Sequence, residues 1–489
     1  MSTNPPHIDL QAAARQVMER YGFQPDFPPE VRQQLADLKA HPPQIAAGPG
    51  VRDLRGLLWS SIDNDTSRDL DQIEVVEPGT NGEVKVMVGI ADVDAFVAKG
   101  TPIDQHAARE TTTVYAGIHN FPMLPEELST GKTSLLESQD CLAVVTEFVV
   151  DNSGLVKSSQ VYRALVHNKA QLQYNSIGAW LEGAQPAPPK VQASGDLQAQ
   201  LKLQNQVAQR LKTKRFENGA LNLQTDEVHP LVIDDQVVDV VKQQKNHATE
   251  LIEDFMVAAN GVVARMLEKV SSLRRIVRTP ERWDRIVQLA KARAGETLPA
   301  QPDSKALNDF LLRRKAADPA HFADVSLAVI KLIGPGEYVL ERPGDPVTGH
   351  FGLAVQDYTH STAPNRRFAD VVTQRILKAV LAGKPYPYSD NELSAIATNC
   401  TQKGDASKKV EREMSKRLAA VAIQGRIGDV FDAIVTGASE KGTFVRVAQP
   451  HIEGMVVQGA QGLDVGDRVH VKLLRADVQK GYIDFAREK

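Results

Sequence analysis

Cysteine is nearly absent. Cys141 and Cys400 are the only two in 489 residues, far apart and without metal-ligand spacing, which argues against a disulfide framework and a cysteine-built zinc site. Long apolar runs are missing as well: no stretch of about 18 apolar residues occurs. The opening MSTNPPHIDLQ has neither the basic nor the apolar region of a secretory leader. Excess positive charge is also lacking, since 57 Lys and Arg stand against 61 Asp and Glu for a net charge of -4. A polyanionic partner would therefore have to be held by a local basic surface. Low-complexity tracts and convincing internal repeats do not occur. These absences predict a cytoplasmic protein with no membrane span.

The rest of the composition is that of an ordinary soluble chain, 24% charged and 42% hydrophobic, long enough for about two to four domains. Residues 1–45 read as two short helices, IDLQAAARQVMERYG and PPEVRQQLADLKA, followed by the linker HPPQIAAGPGVRD. Two helices joined by FQPDF are compatible with a helix-turn-helix-like RNA-binding unit. Residues 46–425 mix strands, from Ile73 to Val97, with helices such as ATELIEDFMVAANGVVARMLEKV and much of Pro280 to Ile333. Without regular alternation this predicts an α+β body. Residues 426–489 read as five short alternating strands separated by Gly and Asp turns, the pattern of a small OB-type barrel.

Two segments carry chemistry. In SIDNDTSRDLDQI, from Ser61 to Ile73, four aspartates fall within nine residues. The spacing almost fits a calcium-binding EF-hand loop, but Arg68 stands where that loop needs glycine, and strands follow instead of a helix. The alternative is a magnesium site, in which clustered hard oxygen ligands hold the ion beside a phosphate. Asp63, Asp69 and Asp71 stand at even offsets, so an extended or looped backbone can turn them to one side. The second segment, DYTHSTAPNRRFADVVTQRILKAVL, sets hydroxyls and the pair Arg366–Arg367 just before a helix. Guanidinium groups and free backbone amides at a helix start suit phosphate binding.

With these motifs in place the chain resembles the ribonuclease II, or RNB, exoribonuclease family. Ile62, Asp63, Asp69 and Asp71 fit its I-D-x5-D-x-D-D motif, TTTVYAGIHNFPMLPEELSTGKTSLL is similar to its PMLP-x-x-LS segment, and YTHSTAPNRRFAD is similar to its YTHFTSPIRRYxD. LIEDFMVAAN and VEREM also match, and the C-terminal barrel looks like an S1 domain. The resemblance runs from roughly Arg52 to the C-terminus. It implies an RNB catalytic domain with a small helical N-terminal domain and a C-terminal S1 barrel, acting as a hydrolytic 3′→5′ exoribonuclease that releases nucleoside 5′-monophosphates from single-stranded RNA. It implies Mg²⁺, with Mn²⁺ as an alternative, no organic cofactor, and a monomer. Carried over residue by residue, Asp71, Asp69, Arg366 and Glu411 are the candidate catalytic residues, and Asp63, Asp69, Asp71 and Gln72 the candidate metal ligands. Tyr115 and Arg367 are candidate RNA contacts, joined on the barrel by Phe431, Phe444 and Lys472. Asp65 is expected to be peripheral. Lys212, Lys214, Arg215, Arg274, Arg275 and Arg278 are candidates for the local positive surface.

The pattern departs from the family at Gln72, where a further aspartate is usual, and at TAPNRR in place of TSPIRR. An amide oxygen can reach Mg²⁺ but attracts it less than a carboxylate does. Gln72 therefore motivates a second reading, an RNA-binding regulator that keeps the fold with weak catalysis. Roughly 50 residues precede Arg52, where the resemblance begins, too few for two of the cold-shock barrels common in the family.

Overall fold

The computed structural model describes residues 9–224, 227–233, 236–243, 245–439, 442–447 and 449–488. Its body is built on a seven-stranded sheet of β1 (Val51–Asp53), β2 (Ser60–Asp63), β3 (Gln72–Pro78), β4 (Val84–Ala91), β7 (Asp140–Val150), β8 (Val156–His167) and β9 (Ala170–Gln173). The two-residue strands β5 (Val114–Tyr115) and β6 (Asn120–Phe121) form a separate hairpin. The sheet order is β1-β8-β7-β4-β3-β2-β9, antiparallel except for the parallel outer pairs β1/β8 and β2/β9. β3 and β4 are rich in Val and Ile and buried along almost their whole length. Both faces of the centre are therefore covered, which removes the alternation a half-exposed sheet would show.

The helices are α1 (Leu10–Arg20), α2 (Pro29–Ala40), α3 (Pro102–Glu110), α4 (Tyr174–Leu181), the short α5 (Pro189–Gln192), α6 (Gly195–Glu217) and α7 (His247–Met266). They continue with α8 (Trp283–Ala294), α9 (Ser304–Ala317), α10 (Phe322–Ile333), α11 (Phe368–Ala382) and α12 (Asp390–Ile423). α8 to α10 bury Trp283, Phe310 and Phe322 in a small core of their own. α12 starts in a reciprocal cap between Ser389 and Glu392. At 34 residues it is about 50 Å long. Leu393 and Cys400 enter the main core, Val410 and Met414 a second, and Ala420 and Ile423 the barrel's core, so one helix joins three cores.

α1 and α2 stand where the periodicity places them, but they do not form one buried pair. Ala14, Val17 and Met18 of α1 pack with Val114 and Phe121 of the hairpin and with Val410 and Met414 of α12. Val31 of α2 belongs to the main core. Arg20 and Tyr21 bond Glu413, and Lys403 donates to the Gly22 carbonyl. The N-terminal helices are thus seated on the body, with α1 packed against Val114 and Ala116, the neighbours of Tyr115.

Between α7 and α11 run β12 (Ser272–Ile276) and β13 (Glu337–Glu341), an antiparallel pair, after the hairpin β10 (Glu227–Ile233) and β11 (Gln236–Gln243). The C-terminal strands β14 (Val430–Ser439), β15 (Gly442–Val447), β16 (Ile452–Gln458), β17 (Arg468–Asp477) and β18 (Tyr482–Arg487) close into a five-stranded barrel. Val435, Val445, Val471 and Phe485 fill it. This is the OB-type architecture that the strand spacing predicts.

Candidate active site

The acidic segment is a loop between β2 and β3. Asp63 ends β2, where its Oδ1 accepts from the Asn64 amide (2.7 Å) and the Ser67 hydroxyl (2.9 Å). The returning limb is pinned by Leu70, which is fully buried. The Leu70 amide donates to Ser134 Oγ at 2.9 Å, and Ser134 Oγ donates to the Arg68 carbonyl at 2.7 Å. This places Asp71 inside, 1% exposed, with Asp69 half-buried at the wall and Asp65 exposed.

The second segment meets it from almost 300 positions away. The Asn365 amide donates to Asp71 Oδ1 at 2.9 Å, and Arg366 Nε stands 3.2 Å from Asp71 Oδ2. The Asn365 side chain bonds Thr133 in both directions, so the departure at TAPNRR anchors the loop that faces Asp71. The Arg366 carbonyl accepts from the Thr113 amide at 3.0 Å, and the Thr111 carbonyl accepts from Phe368 at 2.8 Å. These bonds fasten the arginine loop to the strand that leads into Tyr115.

Tyr115 is 38% exposed and lines the same wall as Arg366. Glu411 on α12 accepts from the Ser407 hydroxyl at 2.9 Å. Asp63, Asp65, Asp69, Tyr115, Arg366 and Glu411 all line one cleft of about 1290 Å³. Lys408 and Arg412 line it too. They stand four residues apart on α12 and flank Glu411, where the sequence SKKVEREMSKR reads as an ordinary solvated helix face.

The electrostatics match the crowding. Burial raises the Asp71 carboxyl to about 7, against the opposing pull of Arg366 and the Asn365 amide, with Asp69 pushing it further up. Burial likewise raises Asp69, and Asp63 adds repulsion. Burial pushes Glu411 up as well. Fully buried Glu74 is held well above the carboxylate range by desolvation and then by Asp63. Neither of its oxygens has a hydrogen-bond partner among the described residues.

Other candidates are placed differently. Gln72 opens β3 opposite Ile90, is 5% exposed, and is not among the residues lining the cleft. Arg367 is committed to Asp370 by two parallel bonds of 2.8 and 2.7 Å. The hydroxyls of YTHST are used inside the protein. Ser361 donates to Asn260 Oδ1 at 2.9 Å and Thr359 to the Leu273 carbonyl at 2.8 Å, which explains why LIEDFMVAAN accompanies this motif. On the barrel, Phe431 is corrected as an RNA contact. It is 5% exposed and its ring meets Phe485 edge-on within the core, so no face is free for a base. Phe444 is half-buried and Lys472 exposed.

Three comparisons bear on this arrangement. The RNB domain model matches residues 51–383, and the model of the RNase II-type exonuclease C-terminal S1 domain matches 429–488. The chain belongs to the RNB domain family. Among RNB relatives, Ribonuclease R of Thermotoga maritima is 29% identical over 94% of this chain and 68% of its own length. Ribonuclease R of Escherichia coli K12 is 28% identical over 94% of this chain and 60% of its own. The chain thus spans between 60% and 68% of these two curated relatives. The fold matches that of Mycoplasma genitalium RNase R in complex with ribose-methylated single-stranded RNA, with a TM-score of 0.84, 22% identity and coverage of 98% and 78%. It also matches yeast Ssd1, a pseudonuclease, with a TM-score of 0.72, 16% identity and coverage of 96% and 58%.

The residues of this RNB site suit a hard divalent cation by their donor chemistry. Asp63 and Asp69 present carboxylate oxygens to the cleft, Asp71 stands behind them, and their mutual repulsion is the cost a cation would offset. Among the described residues no three acidic, histidine or cysteine side chains stand close enough together to hold a metal ion by themselves. That is compatible with Mg²⁺, which keeps several waters and takes its remaining ligands from substrate phosphate. No helix among the described residues is long and apolar enough to cross a membrane.

Proposed function

We propose that this protein is a hydrolytic 3′→5′ exoribonuclease that uses Mg²⁺ to shorten single-stranded RNA and release nucleoside 5′-monophosphates. The observation that carries this reading is the Asp71–Arg366 pair, in which buried Asp71 stands behind the cleft and Arg366 lines it with Asp63, Asp69, Tyr115 and Glu411. Asp63, Asp69 and Asp71 would hold the ion. When bound, it supplies Lewis-acid polarisation of the phosphoryl oxygens and a water of lowered pKa.

The chain's own groups do the rest. Arg366, oriented through Nε by Asp71 and by its stapled backbone, keeps guanidinium N–H groups for charge developing on the phosphoryl oxygens. Asn365 and Arg366 together hold Asp71 against the tendency of burial to protonate it. Tyr115 offers an aromatic face on which any base can stack, which gives sequence tolerance. Glu411 offers the cleft a carboxylate that can accept a hydrogen bond from a ribose hydroxyl. Lys408 and Arg412 add positive charge for the phosphate chain. Lys472, and Phe444 through its accessible edge, add affinity on the barrel.

Single-stranded RNA labelled at either end, incubated with Mg²⁺ or with EDTA, tests this. Stepwise shortening from the 3′ end in Mg²⁺ alone is the expected result. RNA binding without metal-dependent shortening would instead support the regulator reading that Gln72 motivates, for which the fold of the pseudonuclease Ssd1 is a precedent.

A further inference from the structure

Six basic residues in two clusters offered a positive surface, and the structure neutralises five of them. Lys212 pairs with Glu250, Lys214 with Glu217, Arg215 with Asp254, Arg274 with Glu341 and Arg278 with Glu337. Arg275 is the exception: no described carboxylate lies within ion-pair distance of it. Alternation along β12 turns Arg274 into the protein and Arg275 to the other face.

The Arg275 guanidinium nevertheless has a built seat. Opposite it in the β12/β13 register is Tyr338, whose ring centroid is 4.8 Å from Arg275 Cζ. On another side lies Gly336, where a Cβ would stand 2.7 Å from Arg275 Nη2 and 2.9 Å from Cζ. The Tyr338 hydroxyl is in turn held 2.7 Å from His360 Nδ1. The guanidinium is thus pinned without being neutralised.

It faces a chamber of about 290 Å³ that also receives Arg366, Arg367, Thr401 and Ser407. This is the lower end of the range for small-molecule sites, about 300 Å³. The chamber and the acidic cleft share Tyr115, Arg366, Lys408 and Glu411 as a common wall. Arg367 is matched by Asp370 and Arg366 by Asp71, which leaves Arg275 and Lys408 as the lining cations with no ion pair among the described residues, in a wall that also carries the carboxylates of Asp405 and Glu411. The positive field registers at His360, where burial first, then Arg367 and Arg275, hold the imidazole far below its ordinary pKa.

We infer that this chamber is a phosphomonoester site, in which Arg275 with Arg366 holds the 5′-phosphate of the released mononucleotide before it leaves. The inference rests on the exoribonuclease reading. Hydrolysis at the cleft side of Arg366 creates a phosphate monoester, which carries nearly one more negative charge than the diester it came from. Two guanidinium groups discriminate in its favour through charge-assisted bonds. The same chemistry could come from a diester of the uncleaved chain, and the test separates the two.

The full chain is titrated calorimetrically in EDTA, where no turnover occurs, with 5′-AMP and with adenosine. RNA affinity is measured in parallel by anisotropy. Wild type is expected to bind 5′-AMP at least about tenfold more tightly than adenosine, and Arg275→Met to lose about tenfold for 5′-AMP. RNA affinity should change by less than about threefold. Gly336→Ala, whose new methyl pushes the guanidinium off its seat, should give an intermediate loss, and it decides the matter if Arg275→Met does not fold. Equal affinities for 5′-AMP and adenosine, or unchanged 5′-AMP affinity in both folded variants, would overturn the inference. An RNA loss as large as the 5′-AMP loss would also overturn it, by assigning the chamber to the uncleaved chain. Failure of wild type to shorten RNA in Mg²⁺ is a separate result. It removes the enzymatic reading and the product role, while the titrations still decide whether a phosphate site exists.

Discussion

The acidic cleft and the arginine-lined chamber meet at a common wall that includes Arg366, and they place different charges beside it. On the cleft side Asp63, Asp69 and Asp71 crowd one another, and burial lifts Asp69 and Asp71 above their ordinary pKa values. On the chamber side no described carboxylate lies within ion-pair distance of Arg275, and burial, then Arg367 and Arg275, hold His360 well below its ordinary pKa. The crowded carboxylates of the cleft call for a cation, and the unpaired guanidinium of Arg275 offers a seat for a phosphate. Arg366 can serve both because one edge is tied to Asp71 while 47% of its side chain stays exposed. Unsatisfied charge that the fold maintains at a cost is where a ligand gains most by binding.

The largest expected effect comes from breaking the cleft side. Asp71→Asn should lower turnover by at least about 10²–10³-fold, with RNA affinity nearly unchanged in the same preparation. A variant that cleaves at near wild-type rate would remove Asp71 from the site. Breaking the shared wall comes next. Arg366→Lys keeps the charge but loses the planar fork, and kcat should fall by about 10²-fold; retention of full kcat would reduce Arg366 to a structural counter-ion.

Smaller effects sharpen the contrast between the site and its supports. Met18→Ala empties part of the core that holds Val114 and Ala116, the neighbours of Tyr115, and should destabilise the protein by about 2–4 kcal/mol, read by urea unfolding. A rise in KM that exceeds the change in kcat would tie the N-terminal helix to Tyr115. Lys472→Ala should weaken RNA binding a few-fold and reduce the salt slope by about one unit, with cleavage of very short substrates unaltered. Least of all, Gln72→Asp should lower the Mg²⁺ concentration for half-maximal turnover by less than about tenfold. Identical magnesium titrations would place Gln72 outside the ion's surroundings.

Much of the fold was legible because its signals are local. Periodicity marks α1, α2 and the α6 and α7 helices, and short alternating strands mark the barrel. Phe431 was misjudged because alternation says that a side chain faces in or out of a barrel, but not which, and a phenylalanine is plausible on either side. The basic clusters were misjudged because a cation's partner is invisible in sequence. Arg215 and Asp254 are 39 residues apart, and Arg274 and Glu341 are 67 apart.

By itself the sequence determined the chemistry available: three aspartates at close spacing, an arginine pair ahead of a helix, and an aromatic before PMLP. These are local because a loop needs its ligands within a few residues to turn them one way. Tertiary structure alone decided which of those groups remain free to act. It brought Asn365 and Arg366 onto Asp71, spent Arg367 on Asp370, sealed Phe431 in the barrel, and left Arg275 pinned with no described carboxylate in ion-pair reach. The physical reason is that burial and pairing set the cost of a charge, and both depend on neighbours that the chain supplies from hundreds of residues away.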